Sequence, residues 1–180
     1  MTVWGREAEI VPQSAFELET VEDFYGTTWS RAGFKFVAPD ALEIWHFVGE
    51  NDYTVTDPAT GMSFEGFYNR DYLAKKDKYS AFLDGTHGVL TVKKNTSEPR
   101  QTLLVLKDSF FNSTAPFLAQ HYDLVVVNLS VGGVKPLAEY IEQYGCDGVL
   151  IMYNGENVME NNALATLIYQ KQTQAQEDTK

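Results

Sequence analysis

Leu103-Leu104-Val105-Leu106-Lys107-Asp108-Ser109-Phe110-Phe111-Asn112-Ser113 decides how this chain is read. The apolar run has the length of a buried strand and stops abruptly at Asp108-Ser109, where a helical segment is expected to start. That arrangement lifts a serine hydroxyl off the carboxyl end of a strand. It also places the hydroxyl beside a helix N-terminus, whose backbone N–H groups can stabilise an oxyanion. Ser109 is therefore a candidate nucleophile for acyl chemistry.

Downstream, residues 101–170 read as three strand–helix units with strands Thr102–Lys107, Leu124–Asn128 and Gly148–Tyr153. The first two are nearly continuous Leu/Val runs, the pattern of strands covered on both faces. Pro116 places the true start of the first helix, within Asn112 to His121, near Thr114. Pro136 fits the opening turn of the second, Leu137, Tyr140, Ile141 and Tyr144 follow at helical spacing, and Gly145 ends it. A third helix is expected from Glu160 to Tyr169, and residues 171–180 form a polar, flexible tail. Three such units with right-handed crossovers commonly set the first strand between the other two. A crevice then opens at the carboxyl ends. It would be lined by Asp108-Ser109-Phe110 and Asn154-Gly155-Glu156-Asn157, with further backbone donors from Ser130-Val131-Gly132-Gly133.

Residues 1–100 differ in style and are expected to form a β-rich, irregular region packed on that core. Strand-like pieces (Glu43–Val48, Tyr53–Val55, Ser63–Phe67, Val89–Lys93) alternate with turn signals, of which Asp57-Pro58-Ala59-Thr60-Gly61 is the clearest. Arg70–Lys76 reads as a short helix, and Asn95–Arg100 as a linker. No repeat or low-complexity block appears.

The 180 residues, 44% apolar and 13% aromatic, can bury a substantial core. A formal net charge of −11 repels phosphate backbones and anionic lipid, which argues against nucleic acid and membrane-surface partners. Cys146 is the single cysteine, so no internal disulfide is possible, and its setting beside an apolar run fits a small packing residue. No signal peptide opens the chain and no run is long enough to span a bilayer, so a protein starting at Met1 would be cytoplasmic.

Several ordered segments together resemble the DHHW family of Gram-positive bacteria: Asp23-Phe24-Tyr25-Gly26-Thr27, Ala32-Gly33-Phe34, Pro39-Asp40, Asp77-Lys78-Tyr79-Ser80-Ala81-Phe82-Leu83, the Lys107-Asp108-Ser109-Phe110 block, Ala115–Tyr122 and Gly148–Asn154. The resemblance runs from about Asp23 to Ile168. That family looks like a branch of the SGNH hydrolase superfamily near the alginate O-acetyltransferase-like proteins. It implies a three-layer α/β/α, flavodoxin-like parallel sheet, and ester chemistry on extracellular or cell-surface polysaccharide. Carried over, Ser109 matches the nucleophile, Asn154 or Asn157 the oxyanion-hole asparagine, and Gly132 or Gly133 the glycine block after the second strand. The Asp-His-His-Trp motif that names the family is absent here and lies N-terminal to the matched region. The chain thus resembles the C-terminal portion of a longer protein, without its base and orienting acid.

Each candidate has a plainer reading. A serine after a strand is often an N-cap. Asp108 suits a structural role in its own loop. Asp84-Gly85-Thr86-His87 imitates the superfamily's Asp-x-x-His dyad but precedes the serine, and His87 is the best base candidate among His46, His87 and His121. His46 falls on an apparent strand, and His121 at a helix end where positive charge is favoured. The histidines and carboxylates show no metal-ligand spacing, so neither a metal nor a cofactor is expected. Tyr25, Trp29, Tyr53, Phe67 and Tyr68 fit interlayer packing better than a sugar-stacking surface.

Three functions compete. The first is an esterase or O-acyltransferase carrying the nucleophile without the complete triad. The second is a non-catalytic carbohydrate-binding or surface interaction module on the same fold. The third, a nucleotide or flavin binder, lacks both Gly-x-Gly-x-x-Gly after the first strand and a P-loop lysine.

Overall fold

A computed structural model of the chain describes residues 2–3, 6–7, 11–26, 29, 36–131, 135–160, 164 and 167. The chain divides into two compact units, Met1–Glu50 with Arg70–Tyr79, and Asn51–Asn69 with Ser80–Lys180.

In the first unit Thr2–Val3 (β1) pairs with Arg6–Glu7 (β2), and Phe16–Phe24 (β3) pairs antiparallel with Asp40–Phe47 (β4). The register runs from Phe16↔Phe47 to Val21↔Leu42 and becomes irregular before Phe24. On one face β4 buries Leu42 and Ile44; on the other the Phe16 ring packs edge-on against Trp45 and Phe47 at 5.9 and 6.2 Å. Arg70–Lys76 is not a helix: only Arg70–Tyr72 forms a 3₁₀ turn.

The second unit holds a six-stranded mixed sheet. Its strands are Tyr53–Thr56 (β5), Ser63–Glu65 (β6), Val89–Lys94 (β7), Thr102–Lys107 (β8), Asp123–Asn128 (β9) and Gly148–Met152 (β10), in the order β10-β8-β9-β7-β5-β6. The first of the three Leu/Val strands lies between the other two, and all three run parallel, with Leu104 opposite both Val149 and Val125. β7 runs antiparallel to β9 and to β5. Strands from both sides of residue 100 thus share one sheet, and the boundary expected at 100/101 cuts through it. The tight turn Asp57–Gly61 closes the β5–β6 hairpin, with the Gly61 N–H donating to the Asp57 carbonyl at 2.9 Å. Gly61 has φ +74°, a left-handed conformation that favours glycine.

Three short helices follow the parallel strands: Ala115–Ala119 (α1), Leu137–Tyr144 (α2) and Gly155–Glu160 (α3). Pro116 sits in the first turn of α1, as its missing N–H requires. Gly145, at φ +64°, closes α2. The third helix starts at Gly155 rather than Glu160, because Asn154 caps it: the Asn157 N–H donates to Asn154 Oδ1 at 2.7 Å. Beyond residue 160 only Leu164 and Leu167 are described, so most of the Glu160–Tyr169 expectation and the 171–180 tail lie outside the described residues.

Leu104, Leu106, Val125, Val127 and Leu129 form one cluster with Tyr140 of α2, against which Leu137, Ile141, Tyr144 and Cys146 pack. Leu103 and Val105, which alternate to the opposite face of β8, are buried as well. Each such leucine contributes roughly 1.5–3 kcal/mol by leaving water, so the strand that carries the serine is firmly held in the sheet. Tyr53 and Phe67 are buried with rings 5.1 Å apart, and Tyr68 meets Phe82 at 5.6 Å, which gives these aromatics a packing role. The Tyr25 and Trp29 rings meet at 4.4 Å, tilted by 48°.

Candidate functional site

Strand direction gathers the chemistry at one edge of the sheet. β5, β8, β9 and β10 end there, and β7 begins there. Across that edge the chain presents Asn154 and Asn157, then Asp108 and Ser109, then Asn128 and Ser130, then His87, then Asp57.

At the centre, Asp108 is 5% exposed and accepts three hydrogen bonds. Oδ1 takes the Phe110 N–H at 3.0 Å, which caps the 3₁₀ turn Ser109–Ser113. Oδ2 takes the Asn154 N–H at 2.7 Å and an Asn157 Nδ2 hydrogen at 2.9 Å. One carboxylate therefore stitches the loop after β8 to the loop after β10, 46 and 49 residues away in sequence. This is the structural role read for Asp108, extended across the two loops expected to line a crevice. Ser109, immediately after this knot, is exposed, as is Phe110. Asn154 uses its side-chain oxygen to cap α3, and Asn157 spends one amide hydrogen on Asp108. Each of these amide groups carries two N–H hydrogens.

Beneath the serine turn lies Lys107, 2% exposed, with its Nζ donating to Asn112 Oδ1 at 2.7 Å. Burial pushes this ammonium down to about 8, against the opposing pull of Asp108. Asn112 in turn donates from Nδ2 to the carbonyls of Gly85 and Phe82, at 3.0 and 3.5 Å. Lys107 and Asn112 thus brace the serine turn against the 82–85 turn. That turn holds Leu83 and Asp84 at φ +54° and +58°, left-handed conformations that cost non-glycine residues on the order of 1 kcal/mol each. Two bonds secure them: the Leu83 N–H to the Phe67 carbonyl at 2.8 Å, and Asn69 Nδ2 to Asp84 Oδ1 at 2.6 Å.

His87 follows this turn. Its Nδ1 lies 2.8 Å from Asp57 Oδ2, and its Nε2 lies 3.2 Å from the Asp84 carbonyl and 3.6 Å from Asp84 Oδ2. The carboxylate at Nδ1 is thus that of Asp57, from the turn after β5, and Asp84 meets the other ring nitrogen. Burial raises the Asp57 carboxyl, but the hydrogen bonds from His87 and from the Ala59 and Thr60 N–H groups outweigh it and hold the group below its ordinary value. β9 separates the strands that carry Ser109 and His87, which sets their backbones about 10 Å apart. At the same edge, a Cβ on Gly88 would come within 2.7 Å of the Val131 carbonyl, so glycine allows the 129–131 loop to lie against this turn.

Gly132 and Gly133 lie outside the described residues. His121 is exposed at the end of α1, with its ring 6.4 Å from that of Tyr122. His46 sits in the first unit between two glutamates. Among the described residues no group of three or more His, Cys, Asp or Glu is arranged to hold a metal, and no helix is long and apolar enough to cross a membrane. Asp57, Lys107 and Asn112 were not singled out from sequence. Lys107 had a usable signal, since a lysine closing a buried apolar strand needs a partner nearby. Asp57 had none: its bond to His87 spans 30 residues.

No protein-family model matches the chain, and no curated protein matches it. Solved structures do. A DHHW family protein from Eubacterium siraeum DSM 15702 aligns with a TM-score of 0.72 at 20% identity, over 86% of this chain and 52% of that one. Bacillus cereus PatB1 with a sulfonyl adduct aligns with a TM-score of 0.66 at 17% identity, over 84% of this chain and 50% of that one. A further PatB1 structure gives 0.64 at 16%, over 84% and 53%. The chain spans about half the length of these structures and shares their mixed α/β fold.

Proposed function

We propose that this chain is the nucleophile-bearing portion of an SGNH-like serine esterase or O-acyltransferase that acts on acylated polysaccharide at the cell surface. The observation that carries the reading is the Asp108 knot, which fixes an exposed Ser109 at the tip of a buried strand beside the 154–157 loop. The sulfonyl adduct on the PatB1 structure supports it, because sulfonylating reagents react with activated hydroxyls.

In this scheme Ser109 Oγ attacks the acyl carbonyl carbon while a base takes the hydroxyl proton. The Ser109 N–H and an amide of Asn154 or Asn157 hold the oxyanion, and the 132–133 glycines would add backbone donors. The carbon–oxygen bond to the sugar breaks, and the proton passes to the departing sugar oxygen. Water or a second hydroxyl then takes the acyl group from Ser109. With His87 committed to Asp57 and Asp84, the base comes from the Asp-His-His-Trp segment of a longer chain.

A fluorophosphonate probe should label this chain weakly at Ser109, lose that label in Ser109→Ala, and label strongly a longer chain that contains the motif. Strong labelling of the short chain that depends on His87 would overturn the divided triad. Absence of label in both chains would overturn the nucleophile. The bonding of both His87 nitrogens favours a second reading, a non-catalytic glycan-binding module. It expects glycan-array binding unchanged by Ser109→Ala and no turnover of p-nitrophenyl acetate.

A further inference from the structure

We infer that His46, Glu19, Glu50 and Arg70 form a proton-dependent clasp that fastens the Arg70–Tyr79 segment, and the chain's exit at Glu50, to the β3–β4 hairpin. All four residues belong to the first unit. Glu50 is its last residue before the chain leaves, and Arg70 its first after the chain returns.

The geometry specifies the protonation state. His46 Nδ1 lies 2.8 Å from Glu50 Oε1, and Nε2 lies 2.9 Å from Glu19 Oε2. Ionised carboxylates only accept hydrogen bonds, whereas a neutral imidazole carries a single N–H. Both contacts are satisfied together only by the imidazolium. Glu19 also receives a two-pronged Arg70 guanidinium, with Nη1 at 2.8 Å and Nη2 at 2.7 Å. Two cations and two anions then balance; loss of the His46 proton leaves a carboxylate facing a ring lone pair.

The charged groups around His46 reinforce the argument. β3 supplies Glu19 and, directly across the ladder, Glu17; the turn after β4 supplies Glu50; the 70–72 turn supplies Arg70 and Asp71. Carboxylates outnumber cations. Burial opposes charging the ring, yet the hydrogen bonds to Glu19 and Glu50 outweigh it and hold His46 above its ordinary 6.5. Arg70 first and His46 second pull Glu19 down to about 2. The His46 contribution is therefore complete below pH 6.5 and lost as pH rises through the folded-state value, while Glu19 fails only in strong acid. The clasp closes in mild acid and loosens toward alkaline pH.

Nitrogen-15 spectra of the histidine rings, together with amide exchange at Leu73 and Lys75, test this. The Leu73 and Lys75 N–H groups donate to the carbonyls of Arg70 and Tyr72 in the returning segment. At pH 6 both ring nitrogens of His46 should be protonated, with a midpoint above 6.5. Corrected for intrinsic rate, opening at Leu73 and Lys75 should increase through that midpoint, by about tenfold for each unit of upward shift. In Glu50→Gln the midpoint should fall and the pH dependence of the opening should weaken, with Glu19 still bonded to Nε2. His46→Gln is the companion variant, and Glu50→Gln retains a readout if that one misfolds. A neutral His46 ring at pH 6, or exchange in Glu50→Gln that follows wild type, would overturn the clasp.

Discussion

Asp108 keeps a buried carboxylate among neutral donors, the N–H groups of residues 110, 154 and 157, whereas Glu19 meets an arginine fork and a histidine in a half-exposed setting. The first arrangement borrows its strength from the apolar strands on either side. The second depends on opposite charges and on a proton that the solvent can remove. Neutral donors in a dry place resist salt, while matched charges near water yield to it.

The contrast can be broken most sharply at Asp108. Asp108→Ala leaves three part-buried donors from both loops without their acceptor and should cost about 3 kcal/mol in urea unfolding, with no relief in salt. Lys107 gives the next largest effect. Its folded-state value of about 8 lies below the ordinary 10.5, so the protonated form penalises folding below pH 8, and the penalty fades as pH rises to 10.5. Relative to wild type, Lys107→Met should therefore gain on the order of 3 kcal/mol at pH 7 from the lost penalty, offset by about 1–3 kcal/mol for the stranded Asn112 Oδ1, and the gain should shrink toward pH 10.5. Gly88→Ala forces its new methyl against the Val131 carbonyl and should cost about 1–3 kcal/mol in thermal unfolding, as overpacking does. His46→Gln sits at the small end, about 1 kcal/mol or less at pH 6, and the loss should shrink further in high salt.

The same contrast explains what could be read from the residues. β8 and β9 were legible because doubly covered strands must be apolar throughout, as Leu103–Leu106 and Leu124–Val127 are, and β10, half-buried at the sheet edge, was legible as a short apolar run. α2 was legible from Pro136 and Gly145. β3 was missed because Glu17, Glu19, Glu22 and Asp23 mask its alternation, as a strand with one wet face allows. The entry of β5 and β7 into the main sheet could not be read, because pairing such as Val89↔Val127 is set by tertiary packing. At the candidate site, Ser109 and the 154–157 loop followed from strand order. The Asp57–His87 bond did not, since Asp84 is the nearer acid in sequence and the bond to Asp57 spans 30 residues.

The reach of the Asp108 carboxylate has a consequence for synthesis. A ribosome delivers Asn154 and Asn157 long after the serine has emerged, so the nascent chain carries an unanchored serine until β10 pairs with β8. A transcript cut short before codon 148 would yield β8 and β9 without β10 or the donors of residues 154 and 157, and quality control would meet a sheet lacking its edge and its fastener.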